Sequence, residues 1–163
     1  MSKTEYRIEP GKQEYFITRE FDAPRELVFK VFIDPKLIPL WWGPREFSTT
    51  VQVLEIKSGG VWRYVHTDEQ GNQNGFYGVY HEITVPERII QTFEFEGLPE
   101  KGHVILSTIL FEELPGNRTR VIGQDVFQSV ADRDGMVGSG MESGMNESYE
   151  RMDELLVKFK EKV

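Results

Sequence analysis

Cysteine is absent from this 163-residue chain, and its absence excludes disulfides, thiolate zinc sites and cysteine nucleophiles. Long apolar runs are absent too. Nothing approaches the ~18 consecutive apolar residues of a membrane span, and the opening MSKTEYRIEPGKQ has no apolar core of signal-peptide length. The expectation is a cytoplasmic protein with no membrane insertion. Basic excess is missing as well: 19 Lys and Arg stand against 27 Asp and Glu, a formal charge of −8. A nucleic-acid backbone needs a concentrated basic face, so nucleic acid is excluded as a partner. Lys158, Lys160 and Lys162 come nearest to a cluster, but at the end of a predicted helix they complement the helix dipole. His66, His81 and His103 share no metal-ligand spacing, no two acids carry a diagnostic spacing and no serine sits in a nucleophile elbow. Neither a metal, a cofactor nor a nucleophilic catalytic residue is expected.

What remains is ordinary globular chemistry, 39% hydrophobic and 28% charged. A single domain of this size buries roughly 68–70% of its unfolded surface, enough for a core without staples. Residues 14–21 alternate and are rich in aromatic and β-branched side chains, which predicts a strand. Asp22-Ala23-Pro24 then signals a helix start, with Leu27, Val28, Val31 and Phe32 on its apolar face. Asp34-Pro35 opens a second short helix that Gly43-Pro44 ends. From there the texture is strand and turn, with strands predicted over 50–56, 61–66, 76–84, 88–96, 103–111 and 119–127. Short links between consecutive strands require an antiparallel sheet. One helix closes the chain over about 141–162, on a stripe of Met145, Tyr149, Met152, Leu156 and Phe159. The segment 59–97 carries the aromatic residues of three of these strands and reads as the wall of a cavity. Residues 1–13 read as a lead or an extra strand, and 14–163 as one α+β domain.

Arg19-Glu20-Phe21-Asp22-Ala23-Pro24-Arg25-Glu26-Leu27-Val28-Phe29, then Asp34-Pro35 and Trp41-Trp42-Gly43-Pro44, resemble the START-like SRPBCC superfamily. The nearer likeness is to the branch related to the activator of heat-shock chaperone ATPase (Aha-type). Gly59-Gly60, Arg63, Gly71, Gly78-Val79-Tyr80, Glu82-Ile83, Pro86-Glu87-Arg88, Thr119-Arg120-Val121 and the closing Gly- and Met-rich helix continue the pattern in order. The resemblance spans Tyr15 to about Leu156. It implies a helix-grip fold: a curved antiparallel sheet of about seven strands wrapped on the long C-terminal helix, two short helices after the first strand, and a hydrophobic cavity between sheet and helix. It implies much less about activity, since relatives bind lipids and polyketides, cyclise substrates or activate a chaperone.

Alternation puts Trp62, Tyr64 and His66 on one strand face. With Trp41, Trp42, Tyr80, Phe93, Met141 and Met145 they form the expected lining for a hydrophobic small-molecule ligand. Against that reading, Trp41-Trp42 also serve as a plug between helix and sheet, and a lone His66 near a turn also serves as a satisfied or solvent-facing residue. Glu82 and Asp125 are carboxylates placed within strands; burial would raise their pKa and suit proton transfer, as would a His66 in the cavity. The structural alternative pairs Glu82 with Arg63 or Arg88. Gly138, Gly140 and Gly144 are spaced G-x-G-x-x-x-G, one residue too long for a dinucleotide loop, and are expected to start or kink the last helix and let it approach the sheet. Three functions follow as expectations: binding of an apolar or amphipathic small molecule, cyclase or dehydratase chemistry through His66, Glu82 or Asp125, and chaperone activation through the surface. A chain carrying one START-like unit and no separate docking domain speaks against the chaperone partner; a homodimer stays open.

Overall fold

The computed structural model describes residues 3–161. Along the chain run β1 (Glu5–Arg7), β2 (Glu14–Phe21), α1 (Arg25–Ile33), a single 3₁₀ turn (Ile38–Leu40), β3 (Ser48–Leu54), β4 (Val61–Thr67), β5 (Gln73–Thr84), β6 (Arg88–Phe95), β7 (Ile105–Leu114), β8 (Arg118–Val126), α2 (Val130–Gly138) and α3 (Met141–Glu161). The strands make one antiparallel sheet in the order β1-β2-β8-β7-β6-β5-β4-β3. Eight strands replace the seven expected, because Glu5–Arg7 pairs with β2 at Phe16–Thr18. The sheet curves, and β-bulges at Val51/Val53 and Tyr80/Glu82 add local bends.

The grip is visible in α3. Tyr149, Met152, Leu155 and Leu156 are buried against the concave face, with Met145 and Phe159 packed at the margin. Tyr149 meets Phe21 edge to face at 5.3 Å. Each large apolar side chain fully buried there contributes roughly 1.5–3 kcal/mol. The buried Arg19 guanidinium pairs with Asp153 on α3 and donates to Thr4 at 2.8 Å, so β1, β2 and α3 are tied together. At the far end Lys160 reaches Asp22 at 2.8 Å; Lys162, also assigned to the helix, lies outside the described residues.

Three expectations need correction. The second short helix is only one 3₁₀ turn: Pro39 lacks the N–H that an α-helical ladder would use, and the Trp41 N–H closes on the Ile38 carbonyl. The helix α2 was not anticipated. It has no apolar stripe to announce it; Ser129 caps it by accepting from the Asp132 N–H at 3.0 Å, and buried Arg133 anchors it through the Glu9 and Glu14 carbonyls at 2.7 and 3.1 Å. Ser139-Gly140 therefore separates two helices, with Gly140 in the left-handed region at φ +90°, and α3 starts directly after it, as expected of this segment. Gly144 faces Pro44, not the sheet: a Cβ there would meet only the Pro44 Cγ, at 3.7 Å. No described helix is long and apolar enough to cross a membrane.

Candidate functional site: a cavity between sheet and helix

Between the concave face of the sheet and α3 lies a cavity of about 420 Å³. It is closed at one side by the turn Trp41–Pro44 and at another by the α2–α3 junction, with Met136, Met141 and Met145 on its rim of helices. The alternation that shapes its sheet wall is regular: Tyr15 and Ile17 on β2, Gly123 and Asp125 on β8, Ile105, Ser107 and Ile109 on β7, Ile89, Gln91 and Phe93 on β6. Trp62, Tyr64 and His66 complete it from β4.

Of the nine residues expected to line the site, Trp41, Trp42, Trp62, Tyr64, His66, Phe93, Met141 and Met145 meet around this one cavity. Tyr80 does not. It points inward, but at 2% exposure it is packed solid, with its phenol against that of Tyr64. The two neighbouring tryptophans divide their labour. Trp41 is a plug, its Nε1 donating to the Val31 carbonyl at 2.8 Å. Trp42 instead lies over the wall, with ring centroids 5.0 Å from Tyr64, 5.2 Å from Phe76 and 4.9 Å from His66.

His66 is buried at 5% exposure and stacked on Phe47 at 5.0 Å. Burial, with the positive Arg151 nearby, lowers its pKa to about 4, so it is the neutral imidazole near pH 7. Its Nε2 has no partner among the described residues and is capped by Gly43, where a Cβ would stand 2.4 Å away. Only a glycine, free to adopt φ +90°, fits that contact. The turn is held to α3 by the Gly43 N–H donating to Ser148 Oγ at 3.0 Å and by Arg151 donating to the Gly43 carbonyl at 2.8 Å.

The carboxylates separate cleanly. Glu82 lies at the outer surface, paired with Arg88 at 2.7 Å, and its pKa is lowered by that hydrogen bond. The bulge after Tyr80 breaks the two-residue alternation, so Glu82 no longer shares the inward face of Tyr80 and Ile83 packs on the core instead. Asp125, by contrast, lines the cavity. Desolvation raises its pKa against the opposing pull of hydrogen bonds from Ser107 and Tyr15. These are its cross-strand neighbours: Tyr15 on β2 and Ser107 on β7 stand directly opposite Asp125, and Gln91 on β6 stands opposite Ser107. The sequence did not reveal Tyr15, Gln91 or Ser107 as site residues, because their convergence depends on strand register. Away from the cavity, His81 is exposed and His103 Nδ1 pairs with Asp132 at 2.9 Å, so the three histidines do not converge. No group of three His, Asp or Glu among the described residues is arranged to hold a metal ion.

The family model described as Activator of Hsp90 ATPase homolog 1-like protein matches residues 22–157. The chain belongs to that family. Solved structures share its architecture. A protein from Arthrobacter aurescens superposes with a TM-score of 0.85 at 26% identity, covering 94% of this chain and 91% of its own. One from Rhodobacter sphaeroides gives 0.85 at 26% identity, covering 94% and 99%. One from Staphylococcus epidermidis gives 0.80 at 25% identity, covering 93% of each. No match emerges among curated proteins. In this member of the family, matched region and cavity overlap: β4–β8, the Trp41–Pro44 turn and the first half of α3 all lie within it.

Proposed function

We propose that the protein binds an apolar or amphipathic small molecule in the cavity between sheet and α3. The observation that supports it is the cavity itself: about 420 Å³, walled mostly by aromatic and aliphatic side chains with a few polar groups among them. Sites for small molecules have volumes of roughly 300–1,000 Å³ and this composition. At the lower end of that range the space suits one small-ring molecule and is too small for a two-chain lipid. Titration with the neutral fluorophore N-phenyl-naphthylamine tests the reading. Enhanced emission saturating at one molecule per chain, together with native mass spectrometry of protein from its own host showing a bound small molecule, is the expected result. Absence of both would overturn it.

A second reading, proton transfer to a substrate held in the cavity, draws on one observation: Asp125 faces the cavity with a raised pKa. Glu82 is on the outer surface and the His66 Nε2 is capped, so Asp125 would act without them. Deuterium exchange at the methyl group of acetylnaphthalene, followed by NMR, distinguishes this reading. Exchange no faster than in buffer would remove it.

A further inference from the structure

We infer that the row Asp125–Ser107–Gln91 is the recognition strip of the cavity and selects an uncharged, ring-sized ligand that presents a carbonyl group, an inference that rests on the cavity being a binding site. The three residues occupy adjacent strands at directly opposed register positions, all facing the cavity. With strands ~4.8 Å apart they span roughly 10 Å, the scale of a two-ring molecule. Two buried, unpaired polar atoms on the wall do not compete for this role. Trp62 Nε1 and His66 Nε2 are buried without partners, but each is pressed against a glycine, Gly78 and Gly43 respectively. Asp125 and Gln91, in contrast, keep surface toward the cavity.

The donor count sets the ligand chemistry. Desolvation raises the pKa of Asp125 against the pull of its hydrogen bonds. When protonated, the carboxyl can accept from Tyr15 and Ser107 and turn its O–H toward a ligand. The Gln91 side-chain amide makes no hydrogen bond to any other described residue, which leaves two N–H donors and one carbonyl acceptor for a ligand. The Gln91 N–H groups, with the Asp125 O–H when that acid is protonated, are the donors the strip leaves facing the cavity, and an oxygen acceptor on the ligand answers them. None of the cavity-lining residues is Lys or Arg, so a carboxylate or phosphate head would enter without a counter-charge.

Competition against N-phenyl-naphthylamine with three matched compounds tests this: acetylnaphthalene, ethylnaphthalene and naphthoate. The ketone is expected to bind about tenfold more tightly than the hydrocarbon, and the carboxylate more weakly than either. Asp125→Leu should abolish the ketone's advantage while ethylnaphthalene still binds, which also shows that the variant is folded. Asp125→Asn, whose amide donates from the same place, should keep the advantage. Equal binding of ketone and hydrocarbon, an advantage that survives Asp125→Leu, or naphthoate binding as well as the ketone would each overturn the inference and leave the cavity reading standing. Failure of the fluorophore and all three compounds to bind would overturn both.

Discussion

His66 and Asp125 face one cavity and titrate in opposite directions. The folded-state pKa of His66 is depressed to about 4. Its contribution to stability is therefore complete above the unfolded value near 6.5 and is lost as pH falls toward 4. Asp125 is raised, so its contribution is complete below the ordinary aspartate value and is lost as pH rises through its folded value. Acidification from pH 6.5 to 4 should consequently destabilise the wild type through His66, with Asp125 opposing as the pH falls through its raised folded value. In His66→Gln the loss on acidification should shrink by on the order of 1–3 kcal/mol, part of the full shift being discounted for solvent access. Urea midpoints for both proteins at the two pH values decide it; identical acid slopes would show that His66 does not titrate in the fold. Much of this site could be read from residue order. Trp62, Tyr64 and His66 lie on an unbulged stretch of strand, where a period of two holds. Glu82 could not be placed the same way, because a single extra residue at the bulge turns it outward.

At the scale of elements, the turn Trp41–Pro44 owes its position to α3. Arg151 donates to the Gly43 and Pro39 carbonyls at 2.8 and 3.4 Å, and Ser148 takes the Gly43 N–H. Few backbone bonds hold this segment otherwise, so these side chains set its rigidity. Arg151→Ala should cost about 1–2 kcal/mol and speed amide hydrogen exchange around Trp42 and Gly43, leaving β7 and β8 unchanged. Uniform exchange changes across the sheet would contradict that local role. The helix α3 was legible because its apolar stripe runs for several turns, whereas α2 was missed because polar contacts of Arg133 and the Ser129 cap hold it in place of a stripe. The row Tyr15–Asp125–Ser107–Gln91 was missed for a different reason. Each residue sits inward by its own strand's alternation, but their alignment is a property of pairing between strands 14–21, 88–95, 105–114 and 118–126, which no local pattern encodes.

Across the whole molecule, the cavity is space that a better-packed core would fill. Gly123 shows this most directly. It lies mid-strand in β8 between the inward-facing Val121 and Asp125, on the cavity wall, without a positive φ. A Cβ added there would meet only the Ile17 carbonyl oxygen, at an ordinary 3.7 Å. Backbone geometry therefore does not require glycine at this position, and glycine inside a strand weakens it and leaves nothing to pack. A valine would restrict the unfolded chain, favour the extended backbone and bury two methyl groups against Ile17 and Ile109 across the strand. Gly123→Val is expected to raise stability by about 1–2 kcal/mol and to weaken N-phenyl-naphthylamine binding at least about tenfold by occupying the wall beside Asp125. Thermal unfolding and fluorophore titration on the same preparation measure both effects. A variant that gains stability while losing the ligand would mark Gly123 as a residue kept small for binding, at the expense of the fold. If the variant gains stability and binds undiminished, the fluorophore does not occupy this part of the cavity.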